Sequence, residues 1–314
     1  MKAFYSTSYG GAEASRYGDF PDPSVADSQV LIEVKAVSVN PVDYKVKNGS
    51  LKFISGSKFP RILGSDFAGV VKEAGSGVTK FKAGDRVSGV ASVIFGKPGA
   101  LGQLMSINQK SIWTIPAEMS FEEAASLPVG ALTALNGLRK CGVVAGTEVL
   151  INGATGGVGH FAIQIAKAKG AIVTASCTYA NAELALKLGA DKIIGYSKAD
   201  LARKELKFDA ILDAWGHMEI KDVYRLLKRG GTYASPMLNP VASIFLAFSK
   251  LINGKTLTSS NMRARPEDVE EIQKLFHEKK LIPVIENYFT LETAAEAFNL
   301  AEHGRPRGKI IIRI

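Results

Sequence analysis

The chain has 314 residues, 46% hydrophobic and 22% charged, the composition of a globular protein long enough for two ordinary domains. Its net charge of +9 comes from 39 Lys and Arg against 30 Asp and Glu, scattered without a block of like charge; this suits a solvated basic surface or a polyanionic cofactor, and neither nucleic acid nor a membrane surface is expected as a partner. No apolar run, the longest being Val241–Phe248, approaches a membrane span, MKAFYSTSYG lacks the apolar core of a secretory signal, and Cys141 and Cys177 make no disulfide framework, so a cytoplasmic setting is expected.

Residues 1–118 read as a strand-rich domain. The β-favouring runs Val30–Val39, Phe67–Lys72, Arg86–Val93 and Ile112–Ile115 alternate with turns such as Gly75-Ser76-Gly77 and Ala83-Gly84-Asp85. The rhythm changes after Pro116. Ser120-Phe-Glu-Glu123 has capping-box spacing and opens a helical region that Pro128 interrupts. Strands and helices then alternate, beginning with strand Val149–Ile151. The next helix carries Val158, Phe161, Ala162, Ile165 and Ala166 on one face and stops at Lys167, Lys169 and Gly170. Strand Ala171–Ala175, helix Asn181–Leu188 and strands Lys192–Gly195 and Ala210–Leu212 follow. A helix around Ile220, Val223, Tyr224 and Leu227 is stopped by Gly230-Gly231. Such alternation specifies a parallel sheet with helices on both faces. A helix from Pro266 turns Val269, Ile272, Leu275 and Phe276 inward, and a strand, a helix and the strand Lys309–Ile314 close the chain.

The run Ile151-Asn-Gly-Ala-Thr-Gly156-Gly157-Val158-Gly159 joins a strand to a helix, the context in which glycines cradle a dinucleotide. Gly156 lets the backbone approach a pyrophosphate, Gly159 lets the helix pack on the strand, and the helix N-terminus offers N–H groups to phosphates. Ala154 stands where the usual pattern has its first glycine. An NAD-preferring site carries an acid about twenty residues further on, against the ribose 2′-hydroxyl. That position is Ser176 or Cys177 here, and no acid occurs from Gly157 to Asn181. Ser176 and Thr178 offer hydrogen bonds to a 2′-phosphate, so NADP(H) is expected over NAD, although no Arg or Lys lies within Thr174–Asn181.

Several short motifs recur in a telling order: Asn40-Pro-Val-Asp43, Leu63-Gly-Ser-Asp66 with Ala68-Gly-Val-Val71, Gly84-Asp-Arg-Val87, Ala124-Ala-Ser-Leu-Pro128, Leu132-Thr-Ala134, Gly156-Gly-Val-Gly159, Leu188-Gly-Ala-Asp191 and Gly308-Lys309. Together, over the whole chain, they resemble the zinc-independent quinone oxidoreductase and alkenal/enone reductase branch of the medium-chain dehydrogenase/reductase superfamily. The resemblance implies an α/β architecture. A GroES-like, β-rich catalytic domain would comprise residues 1–118 and 259–314, a Rossmann dinucleotide-binding domain residues 119–258, with the ligand cleft between them and a homodimer as the common assembly. It implies cofactor contacts by Asn40, Thr133, Ala154, Thr155, Gly156, Gly157, Val158, Ser176, Cys177, Thr178, Tyr196, Arg307 and Gly308, with Asn181 where relatives commonly carry Lys.

Zinc is excluded on residue chemistry. A catalytic zinc needs Cys, His or carboxylate ligands around an open position. No Cys or His precedes Cys141, and zinc-binding relatives carry Cys near Asn40 and Gly-His-Glu where Gly64-Ser65-Asp66 stands. Hydride transfer without a metal rests on positioning the nicotinamide against an electron-poor acceptor, and a nearby cation or donor stabilises the charge that develops on its oxygen. Lys45 is the candidate cation and Asn40 the candidate donor, while Tyr44 suits the core as well as catalysis. The plain reading makes Asn40 and Asp43 a turn about Pro41 and Lys45 a solvated side chain. His160 is expected near the helix start, exposed or packed, and Trp113 and Trp215 in packing roles. Pro236–Ile252 would shape a substrate pocket, a subunit contact or a membrane-facing patch. The expected function is NADPH-dependent reduction of a quinone or an α,β-unsaturated carbonyl. Reduction of a 2-enoyl thioester and cofactor binding with little catalysis are the alternatives.

Overall fold

The fold comes from a computed structural model that describes residues 1–197, 200, 206–237 and 254–314. The run Val241–Phe248 and all of Pro236–Ile252 except Pro236 and Met237 lie outside the described residues. The chain divides into two compact units, Met1–Val129 with Ile285–Ile314, and Gly130–Val284.

In the first unit, β1 (Lys2–Ser6) pairs antiparallel with β2 (Ser15–Asp19) and with β4 (Arg61–Ile62). The larger sheet is organised on β3 (Gln29–Ser38), an almost continuous apolar run whose Glu33 and Lys35 turn outward and pair with each other. β3 lies antiparallel to β5 (Asp66–Ala74), β7 (Leu104–Asn108) and the terminal β16 (Lys309–Arg313). The sheet continues from β5 through β6 (Arg86–Val90) to β8 (Ile112–Thr114), and from β16 to β15 (Ile285–Thr290). Its core is built from Ile32, Phe67, Val71, Val87 and Leu101, with Phe298 and Ile310 from the chain end. Two short helices, α1 (Pro41–Lys47) and α2 (Lys52–Ser55), lie between β3 and β4. The expected capping box forms: Ser120 Oγ accepts from Glu123 N at 3.2 Å and Ser120 N donates to the Glu123 carboxylate at 2.9 Å, opening α3 (Phe121–Ser126).

Among the described residues the second unit holds six parallel strands: β9 (Glu148–Asn152), β10 (Ile172–Ser176), β11 (Lys192–Ile194), β12 (Phe208–Asp213), β13 (Leu227–Ser235) and β14 (Thr256–Ser259). Their order, β11-β10-β9-β12-β13-β14, is doubly wound, and its direction reverses between β9 and β12. Helix α4 (Pro128–Lys140) precedes β9, and α5 (Gly159–Ala168), α6 (Ala182–Lys187) and α7 (Ile220–Leu226) connect strands. Residues Gly159 to Ala166 of α5 are all buried, so this helix is a core element on every side rather than on one face. In α8 (Pro266–His277) Val269 and Ile272 are buried as expected, but Leu275 and Phe276 only half so. The final helix, α9 (Ala294–His303), belongs to the first unit.

Gly230-Gly231 does not stop a helix. α7 ends before Leu227, whose ψ of 135° is extended, and Leu227 is captured by pairing with Phe208, so the glycines lie inside β13. The unit division also falls later than 118/119 and 258/259. α3 packs on β3 and β5 in the first unit, while β14 completes the second unit's sheet and α8 is tied to α4 by an Arg139–Asp268 ion pair of 2.5 Å.

Candidate active site

The glycine turn sits at the C-terminal end of β9, beside the reversal of strand order, where open α/β sheets bind ligands. Gly153, with φ of 70°, makes the tight bend. Because Gly153 takes the left-handed position, Ala154 can replace the usual glycine; its N–H donates to Ser176 O at 3.1 Å and hooks the turn to β10. Thr155 Oγ1 accepts from Asn181 Nδ2 at 3.2 Å. A Cβ on Gly159 would lie 2.1 Å from Gly153 O, so the protein itself requires that glycine. Among the described residues a Cβ on Gly156 would meet only Gly153 O, at 3.4 Å, an ordinary contact. Among the described residues no close contact therefore explains Gly156, which stands beside the N-terminus of α5, where N–H groups favour an anion. Thr155 is buried, and Gly156, Gly157 and Val158 are half-exposed.

The residues around the turn divide by exposure. Ser176 is fully buried, with no hydrogen-bond partner for Oγ among the described residues, and Cys177 is buried with its thiol pushed up by burial. Thr178, half-exposed, is the accessible hydroxyl of that strand end. Trp215 does not merely pack. It is 46% exposed, its Cβ lies 2.9 Å from where a Gly153 Cβ would stand, and its ring adjoins Tyr196 and His217 at 6.1 and 4.8 Å between centroids. Thr133 is buried in α4, and His160 is buried at the start of α5 with Nδ1 2.8 Å from Gly156 O.

Asp213, at the end of β12, escapes the sequence reading. It accepts from Asn152 Nδ2 at 2.7 Å, from the backbone N–H groups of Gly216 and Met218 at 2.9 Å each, and from the Tyr233 hydroxyl at 3.0 Å. This buried carboxylate clamps the ends of β9 and β12 and the Trp215 loop, and burial together with its charge pushes the Tyr233 hydroxyl up.

The first unit holds a second polar cluster, positioned by strand pairing. β3 sets Ser38 opposite Asp66 of β5, and Val39 N donates to Ile310 O, which brings Lys309 beside Asn40. Lys309 Nζ donates to Asn40 Oδ1 at 2.6 Å and lies 3.5 Å from Asp66 Oδ2. Asn40 Nδ2 is within 2.9 Å of Asp66 Oδ2 and 3.1 Å of Ser65 Oγ, and Asp43 Oδ2 accepts from Asn40 N at 2.8 Å and Ser65 Oγ at 3.0 Å. Asn40 and Asp43 thus form the buried start of a helix rather than a turn. Asn40 is only 3% exposed, and its amide is occupied within this cluster. Lys45 and Tyr44 follow on α1, both half-buried; burial pushes the Lys45 ammonium down and the Tyr44 hydroxyl up. Arg307 is held by Glu286, at 3.0 Å from Nε, and Gly308 is buried beside Lys309.

A zinc ion does not fit this cluster. Asn40, Ser65 and Asp66 offer an amide, a hydroxyl and a carboxyl, Asp43 adds a second carboxyl without any thiolate or imidazole, and the Lys309 ammonium already supplies the cation among them. Burial pushes Asp43 up to about 7 and Asp66 to about 6, and pushes the Lys309 ammonium down. Carboxyls with raised values bind more protons folded than unfolded, so stability is full below their ordinary 3.8 and declines as pH rises towards about 7. Lys309, lowered by burial, acts in the opposite sense, its contribution rising with pH up to the ordinary lysine value. Asp43→Asn is therefore expected to narrow the stability difference between about pH 5 and pH 8 by roughly 1–2 kcal/mol. Urea unfolding at both pH values measures it, and an unchanged difference would put the titration elsewhere.

Known families and structures converge on these features. The GroES-like domain of alcohol dehydrogenases matches residues 26–117, and the family described as zinc-binding dehydrogenase matches 188–312. The mitochondrial NAD(P)H oxidoreductase RTN4IP1 of Bos taurus is 33% identical over all of this chain and 89% of its own. The 2-methylene-furan-3-one reductase of Solanum lycopersicum is 32% identical over 99% of this chain and 79% of its own. The solved quinone oxidoreductase from Coxiella burnetii superposes with a TM-score of 0.91 at 33% identity, covering 100% of this chain and 99% of that one. With a GroES-like domain, a doubly wound domain and relatives of this similarity along its whole length, the chain belongs to the medium-chain dehydrogenase/reductase superfamily, in its quinone oxidoreductase branch, and is an oxidoreductase.

Proposed function

We propose that this chain is a zinc-independent reductase that uses NADPH in preference to NADH to reduce quinones or activated enones. The observation that supports the proposal most is the turn Gly153–Gly159, where among the described residues a Cβ on Gly156 would meet only Gly153 O, at 3.4 Å. A nicotinamide dinucleotide bound there would supply the hydride. Gly156 and the start of α5 would receive its pyrophosphate, and Thr178 with Tyr196 would face a 2′-phosphate where an NAD enzyme carries an acid. Preference for quinones and enones is supported by the relatives' named acceptors, NAD(P)H oxidation by RTN4IP1's name. The amide, hydroxyl and ammonium of Asn40, Ser65 and Lys309 support a site that works without zinc. We further assign the chain to the cytoplasm, on its two buried free thiols, and to a homodimer, on the family resemblance.

Lys45 is the group proposed to stabilise negative charge on the acceptor oxygen, and a reduced quinone can take its protons from water. Titrating the protein with NADPH and then NADH, following Trp215 fluorescence, and assaying a panel of quinones, enones and a 2-enoyl-CoA tests the proposal. NADPH oxidation by quinones or enones is expected; turnover of the thioester alone, or binding without turnover, would replace it with one of the two alternatives. Lys45→Ala is expected to lower kcat about tenfold with NADPH affinity unchanged. Equal turnover would remove Lys45 from the site.

A further inference from the structure

The surface of the first unit carries an apolar prominence that the redox reading does not use. Phe53 of α2 is 93% exposed, Phe95 69% and Ile54 46%. The two segments that present them are stapled together, Phe95 N donating to Ile54 O at 2.9 Å and Gly96 N to Ser55 O at 3.1 Å. Phe95 also has φ of 59°, a left-handed conformation that is costly for a bulky residue and that burial of its ring does nothing to offset. Lys52, Lys58 and Lys97, all exposed, lie within four residues of these tips in the chain, and Lys52 Nζ is 5.6 Å from the Phe53 ring centroid. No Asp or Glu occurs from Tyr44 to Ser65 or from Arg86 to Ala117.

We propose that this prominence docks on an anionic lipid bilayer. Phe53, Ile54 and Phe95 enter the boundary between headgroups and acyl chains, and Lys52, Lys58 and Lys97 meet lipid phosphates. The staple suits that depth, because it satisfies backbone groups that lie beside the rings. Charge selects the occupant. A second copy of the same face would set lysine against lysine, and the projecting aliphatic and aromatic tips lack the basic groove that stacks single-stranded nucleic acid. Docking here stands independently of the reductase reading.

Co-sedimentation of the full chain with extruded vesicles tests the proposal, using phosphatidylcholine alone or with about 30% phosphatidylserine. Binding is expected to the anionic vesicles and to weaken with salt. Phe53→Ser with Phe95→Ser is expected to lower lipid affinity about tenfold or more, with the melting temperature and oligomeric size unchanged. Exchanging Lys52, Lys58 and Lys97 for Gln is expected to abolish the preference for the anionic lipid. Failure to sediment with anionic vesicles at low salt overturns the proposal, as does a double Phe variant that binds undiminished. So does an altered oligomeric size, an RNA gel shift that needs the same lysines without vesicle binding, or a raised KM for a water-soluble quinone without loss of lipid binding.

Discussion

Replacing Lys309 with alanine is expected to destabilise the protein by about 3–5 kcal/mol at neutral pH. Lys309 is 3% exposed and is the cation that burial leaves beside Asp66, with Asp43 close enough that both carboxyls favour its charged form. Removing it strands Asn40 Oδ1 and leaves two carboxyls in one buried site without a counter-charge. The carboxyls can relieve this by taking up protons, so the loss should shrink towards about pH 5. Lys309→Met keeps most of the stem volume and isolates the charge; it should cost nearly as much as alanine at about pH 8. Urea unfolding of both variants at the two pH values decides the matter. A loss below about 1 kcal/mol for Lys309→Met would show that Lys309 contributes through its apolar stem rather than its charge.

The contrast between this cluster and the glycine turn shows what a sequence displays. The turn, the capping box at Ser120 and the strands β9 and β10 depend on neighbours within a few residues, so spacing exposes them. Lys309 and Asp66 are 243 positions apart, and Lys309 and Asn40 are 269 apart; only the antiparallel pairing of β16 and β5 with β3 joins them. Their motifs appeared as separate marks of a resemblance, and nothing local made Lys309 the partner of Asn40. Strand β7 was missed for the same reason, since LMSIN is short and its partner β3 is remote. Helix α1 was missed because Asn-Pro-Val-Asp fits a turn as well as a helix start, and burial of Asp43 decides between them. Basic residues that looked scattered behave alike: Lys52, Lys58 and Lys97 become neighbours of one apolar prominence only when Phe95 is stapled to Ile54.

Gly159→Ala is expected to raise the Kd for NADPH at least a hundredfold and to cost about 3 kcal/mol of stability. Helix propensity alone predicts the opposite sign, since alanine is better than glycine by about 1 kcal/mol within a helix. Sterics decide, because the added Cβ would sit 2.1 Å from Gly153 O and 2.7 Å from Ala154 Cα, both backbone atoms of the turn. α5 has nowhere to retreat, being buried along Gly159–Ala166, so the turn must open and its N–H groups lose their aim. Gly156→Ala separates fold from ligand. Among the described residues its Cβ meets only one backbone oxygen, at 3.4 Å, so the melting temperature should stay nearly unchanged while NADPH affinity falls about tenfold. Trp215 lies against Gly153 and is half-exposed, so its fluorescence reports cofactor binding and distortion of the turn in one titration. Equal, small effects of the two substitutions on NADPH affinity would mean that the phosphates lie elsewhere. A stability loss at Gly156 as large as at Gly159 would mean that the space beside α5 belongs to the protein after all.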